Sequence, residues 1–213
     1  MIQKKNKILY GKLIENLTTI GPFIKEEYYK YIPKIVNSII ELVEGIKFNN
    51  DPIRNDLQNS LKKLIPILQN DFNDLLFNLV NTILYLIKIK PKIYISDQPK
   101  KEIEISELFN NENNNENLNN DYLDNKKNIF DIQTNEIDDF CGSLSLLNTL
   151  IKAYGIGFIN HIDEIEKEIT SLFKKESFNK IKTKSSKILS NLIMIVPHEK
   201  KREKGILYIK CLI

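Results

Sequence analysis

An all-α fold of repeated helix pairs is what this sequence predicts, on three observations. The stretch Tyr28 to Val43, YYKYIPKIVNSIIELV, returns after 44 positions: Tyr28, Ile32, Ile35, Val36, Ile39, Ile40, Leu42 and Val43 fall on Phe72, Leu76, Leu79, Val80, Ile83, Leu84, Leu86 and Ile87. In the same frame Leu13, Leu17 and Ile20 fall on Leu57, Leu61 and Leu64, and Pro22 on Pro66. A third copy stands at a shift of 130, where Tyr28, Ile32, Ile35, Ile39, Leu42 and Val43 meet Phe158, Ile162, Ile165, Ile169, Leu172 and Phe173, while Leu17 and Ile20 meet Leu147 and Leu150. Each copy keeps apolar residues at helical spacing, so each helix needs a partner for its stripe. Two helices in a unit of about 40 to 47 residues is the HEAT/armadillo pattern. The expected architecture is an α-solenoid of HEAT-type pairs, about three complete pairs plus one unpaired helix, interrupted by a disordered acidic insertion.

The first helix is expected over residues 6 to 20, with Leu9, Leu13, Leu17 and Ile20 on one stripe. Gly21-Pro22 should stop it, because proline disfavours the helical conformation in the residue before it. The second covers roughly 29 to 45, with Pro33 in the first turn, where a missing N–H costs nothing, and Gly45 at the close. Asn49-Asn50-Asp51-Pro52 separates the pairs; Asp51 suits a cap and Pro52 the first position of a helix from about 52 to 65. Asn70-Asp71 introduces the fourth helix, about 71 to 89, so residues 6–90 hold two pairs.

The pattern changes over residues 91–135. Lys92 to Ser96 and Glu102 to Ile105 alternate in polarity, which reads as short strands or an extended arm, and Ile129 to Thr134 as a second extended piece. Asn110 to Asn120, NNENNNENLNN, is too polar to repay ordering and is expected to be disordered. Residues 136–196 resume the helical pattern with one pair, broken at Gly155-Ile156-Gly157, and the first helix of a fourth, striped by Ile181, Ile188, Leu192 and Ile195. Residues 197–213 form a basic tail with no useful helical stripe, so that last helix lacks its partner. Unpartnered stripes at both ends lead to the expectation of a piece of a longer array.

Net charge is +3, too small to argue for nucleic acid, but it is unevenly spread. Asp97 to Asp139 carries 12 acids against 4 bases, and Lys174 to Lys204 carries 10 bases against 3 acids. Aromatics are sparse in the basic stretch, which reads as a solvated helix face. The N-terminus lacks the apolar run of a signal peptide, and the longest apolar run, Leu75 to Ile89, is broken by Asn78, Asn81 and Lys88, so no membrane span is expected.

Little in the sequence suggests chemistry. Cys141 and Cys211 have neither disulfide nor metal spacing. Cys141 and His161 fall on different helices with no orienting third residue, and His198 lies in the basic tail. Gly155-Ile156-Gly157 lacks the lysine and third glycine of a phosphate loop and reads as a helix–helix turn. No catalytic residue, cofactor or metal is assigned, and the chain is expected not to be an enzyme. The candidate partner surface is the polar side of the second helices: Lys30, Lys34, Asn37 and Glu41; Asp74, Asn78, Asn81 and Tyr85; Asn160, Glu164, Lys167 and Ser171. Stacking would join these twelve into one concave strip; the plainer reading is that they face solvent.

The order of segments resembles the middle of an importin-β-type nuclear transport receptor, nearest to the karyopherin β3 branch. The likeness covers about residues 8 to 196 and rests on Gly11 to Gly21 (GKLIENLTTIG), Asp51-Pro52, the acidic interruption, Phe130 to Thr134 (FDIQT) and the Gly157 to Ile165 segment. It implies a solenoid, monomeric and shared between cytoplasm and nucleus. Such a receptor carries protein cargo with basic localisation signals, meets nucleoporins, and releases its cargo under control of Ran-GTP. It implies no membrane and no direct nucleic-acid contact. The family's receptors are several times longer, and the repeats that usually hold Ran have no counterpart here. The alternative expectation is a HEAT-repeat scaffold subunit of a cytoplasmic complex.

Overall fold

The computed structural model describes residues 4–24, 26–48, 51–91, 120–173 and 179–212. Among them the chain is all-α, with no strand. The helices are α1 (Lys4–Ile24), α2 (Glu26–Tyr29), α3 (Ile32–Glu44), α4 (Arg54–Asp71), α5 (Asn73–Lys88), α6 (Asn120–Tyr154), α7 (Ile162–Thr170), α8 (Asn179–Ile195) and α9 (His198–Leu212). Two 3-10 segments, Gly155–His161 and Ser171–Phe173, flank α7.

The helices form two layers. α1, α4, α6 and α8 pack side by side in one; α3, α5 and α7 follow each other in the second. α9 joins the second layer through polar contacts to α7. The apolar stripes predicted from the repeat meet between the layers: Ile32, Val36, Ile39 and Val43 of α3, Leu79, Val80, Ile83 and Ile87 of α5, and Ile165 and Ile169 of α7 are all fully buried. One core cluster runs from α1 to α9.

The 44-residue register is written in hydrogen bonds between α1 and α4. Lys7 pairs with Asp51 at 3.1 Å, Lys12 with Asp56 at 2.6 Å, Asn59 Nδ2 donates to Glu15 at 3.1 Å, and Lys63 donates to the Thr19 hydroxyl at 2.6 Å. Each rung joins residues 44 apart, so equivalent positions of successive pairs lie side by side.

Several boundaries differ from those predicted. Pro22 and Pro66 lie inside α1 and α4 rather than ending them. A proline inside a helix costs about 3 kcal/mol. In α4 this is offset by the burial of Leu68 on the turn beyond, a side chain worth roughly 1.5–3 kcal/mol. In α1 the Tyr28 ring packs on Gly21, the residue before Pro22, so closely that a Cβ there would overlap it, while Phe23 and Ile24 beyond the proline are exposed. Pro33 does sit at the start of α3, and the Asp51 carboxylate accepts the Ile53 N–H at 3.2 Å just before α4.

Ile129 to Thr134, expected to be extended, lies within α6. The alternation of six residues is too short to outweigh continuous helical hydrogen bonding on both sides. The extended pieces expected at 92–96 and 102–105 lie outside the described residues, as does the stretch expected to be disordered at 110–120 up to its last residue, Asn120, which opens α6. Residues 198–212, read as a tail without a stripe, form α9, which supplies the missing partner of α8. Tyr208 is its buried residue, and its grip is mostly polar, which is why no apolar periodicity announced it. Gly155 turns the chain from α6 with φ +54, a left-handed conformation that glycine adopts without a Cβ penalty.

Candidate partner-binding surface

The predicted strip residues come from α3 and the turn before it, from α5 and from the α7 region, which the second layer sets in sequence. Lys30, Lys34, Asn37, Glu41, Asp74, Asn78, Asn81, Tyr85, Asn160, Glu164 and Lys167 are exposed, and Ser171 is half-buried. They are not equivalent. Lys30 is paired with Glu27 at 2.7 Å. Glu164 accepts from Lys88 at 2.8 Å and Ser171 from Lys90 at 3.1 Å, contacts that tie α5 to the third pair. Glu164 holds the Lys88 ammonium above its ordinary value by that hydrogen bond.

A groove of about 430 Å3 runs between α3 and α5. Ile40, Val43 and Thr82 line it with Glu44, Asn78, Asn81 and Tyr85. The Tyr85 hydroxyl donates to the Ile46 carbonyl at 2.8 Å, which fixes its ring across the end of α3. The Asn78 and Asn81 amides are exposed, with no hydrogen bond from either side chain among those described, so their donors and acceptors are open to a partner. Glu41, Glu44 and Asp74 are exposed and give the region an acidic character. Lys34 departs from this set: it lines a different, apolar groove between α1 and α3.

Sequence reasoning missed a buried polar node. Arg54 opens α4 and is 0% exposed. Its Nη2 donates to the Leu86 carbonyl at 2.7 Å and to the Ser143 hydroxyl at 2.8 Å, while Gln58 Nε2 donates to the same hydroxyl at 2.8 Å and to the Asp139 carbonyl at 2.9 Å. One guanidinium thus joins α4, the end of α5 and α6. Leu86 lies in the last turn of α5, where carbonyls face a cation favourably. Among the described residues Arg54 Nε and Nη1 have no hydrogen-bond partner. Burial draws the guanidinium down to about 10, against the pull of Asp139 and Asp51, so it stays charged at neutral pH. Burial raises the Asp139 carboxyl, and Arg54 restrains it. The signal was present: Arg54 is the 44-residue counterpart of Tyr10 and continues the frame of Leu57, Leu61 and Leu64, so a charge stood on an apolar stripe.

Cys141 is buried in α6 and burial raises its thiol, which lowers the thiolate fraction a nucleophile needs. His161 lies against the rings of Phe77 and Phe158. Among the described residues no three of His, Cys, Asp or Glu converge to hold a metal, and no helix is long and apolar enough to cross a membrane. Compared with models of protein families, with curated proteins and with solved structures, the chain matches none.

Proposed function

We propose that this chain is a protein-binding solenoid of HEAT-type repeats, and that its second-layer face holds a basic segment of a partner protein. The observation that carries this is the α3–α5 groove, which two open amides, Asn78 and Asn81, line with the carboxylate of Glu44, while Glu41 and Asp74 stand exposed on α3 and α5 outside its lining. Amides of that kind can pair with an extended backbone, and carboxylates select lysine- and arginine-rich sequence. Together with the order of segments in the sequence, this supports part of a nuclear import receptor of the importin-β type, moving between cytoplasm and nucleus with cargo under Ran-GTP control.

Binding of a labelled basic localisation peptide to the purified chain tests the reading. Glu44→Lys should weaken binding at least about tenfold, and raising salt from 50 to 300 mM should weaken it further, because the recognition is electrostatic. A peptide that binds Glu44→Lys as well as the unaltered chain sinks the groove assignment. In pull-downs from nuclear extract, capture of basic cargo that is lost on adding Ran-GTP supports the receptor; partners unchanged by the nucleotide state of Ran support the scaffold reading.

A further inference from the structure

We propose that the α1 end of the array is a second docking surface, shaped for one amphipathic helix of a partner protein that carries carboxylates beside its apolar ridge. Tyr10, Leu13, Leu17, Ile20 and Ile24 follow one another at alternating steps of three and four along α1, the spacing of a helix–helix seam. All five are 47–57% exposed, yet their 44-residue counterparts in α4, Arg54, Leu57, Leu61, Leu64 and Leu68, are 0% exposed.

The difference lies in what covers each pair. α6 packs on α4 and α5 together, and its Ser143 reaches Arg54. In the first pair, α4 takes the opposite side of α1, where Gly11 meets Ile53 and where Lys12 and Glu15 meet Asp56 and Asn59. The seam of α1 is left facing a groove of about 500 Å3 shared with α3. The surface is continuous with the established packing of the array, and the occupant that the second pair accepts in this frame is a single helix.

Charge and area narrow the occupant. Lys34 is the charged residue lining the groove, is exposed, and makes no ion pair among the described residues. A carboxylate on the incoming helix would meet it, as α6 brings Asp139 toward Arg54 in the second pair. A second copy of this chain is disfavoured: α1 carries one carboxylate, Glu15, which faces α4 and accepts from Asn59, so a second α1 seam would bring none to Lys34, and the apolar stripe of α8 is already buried. Half-exposed side chains of this size offer roughly 100 Å2 each, on the order of 500 Å2 for the seam, below the ~800 Å2 per partner of a standard protein interface and suited to a helix of about four turns in a groove.

The test uses two fluorescein-labelled synthetic helices with the same leucine ridge, one flanked by glutamates and one by lysines, titrated against the full chain by anisotropy. The glutamate helix should bind at least about tenfold more tightly than the lysine helix. Leu17→Glu should abolish binding of both, and Lys34→Glu should reverse the preference; both positions are exposed, and circular dichroism should show the unaltered melting curve. Equal affinity for the two helices, or binding of neither, overturns the proposal. So does sedimentation showing that the chain self-associates and that Leu17→Glu makes it monomeric, which would identify a second copy as the occupant.

Discussion

Arg54 shows how much one side chain can hold. It joins three helices, but two of its nitrogens are unpartnered and its charge is wholly desolvated. Arg54→Ala would remove charge-assisted bonds and leave a cavity, so a loss of about 3–5 kcal/mol is expected in urea unfolding. Arg54→Met, which fills the space without a buried charge, should recover most of that loss, because a desolvated guanidinium offsets much of what its bonds contribute. Gly21 makes a parallel point about sterics: Gly21→Ala places a methyl in the Tyr28 ring, with an expected cost of about 1–3 kcal/mol. Position 54 stood on a legible stripe, but the repeat did not fix its burial, since its counterpart Tyr10 is 49% exposed. Nor did it fix the partners of Arg54, since Ser143 lies 89 residues on.

Among elements, α1 and α4 are copies by sequence and differ by environment. Leu61→Ala should cost about 2–5 kcal/mol, whereas Leu17→Ala, at the equivalent position, should cost under about 1 kcal/mol, both read from urea unfolding midpoints. α9 is held differently. Lys204 contacts Asp163 at 2.9 Å and Glu166 at 3.0 Å, and the Tyr208 hydroxyl donates to Glu166 at 3.0 Å. Burial, then the Glu166 hydrogen bond, pushes the Tyr208 phenol up; burial opposes the Lys204 charge, but its bonds to Glu166 and Asp163 leave it raised. Both groups have pKa values raised by folding. Their contribution is therefore complete below the ordinary values of about 10 and is lost as pH rises through the folded ones. A fluorophore on Cys211 should report release of α9 as pH climbs above about 10, and Glu166→Gln should move that release to lower pH. Helix existence was legible for α1, α3, α4 and α5, where a stripe had to find a partner. It was not for α9, which is anchored by four polar side chains that carry no period.

The whole molecule is a linear array, so its stability should grade along the chain. α4, α5 and α6 have neighbours on both sides, while α1 leaves its seam open and α9 buries Tyr208. Native-state hydrogen exchange should be slowest in α4–α6 and faster by orders of magnitude in α1 and α9; uniform protection would mean a single cooperative unit instead. The same linearity makes the second-layer face an assembled property. Asn78 and Asn81 were legible as polar positions of a second helix, but the groove beside them exists because α3 and α5 pack side by side. Lys34, by contrast, was placed by the repeat with that face and is placed by the fold at the α1 groove.

From the sequence alone came the helical class, the pairing and the 44-residue register, which the rungs from Lys7–Asp51 to Thr19–Lys63 reproduce. Periodicity is a local property, set by which side chains must leave water, and local properties survive in one dimension. Tertiary structure alone decided that Pro22 and Pro66 stay inside helices, that α9 completes the fourth pair, and that Arg54 is buried while the Leu17 stripe is open. Each of these depends on a neighbour far along the chain, and whether a stripe is core or surface is fixed by which helix packs against it.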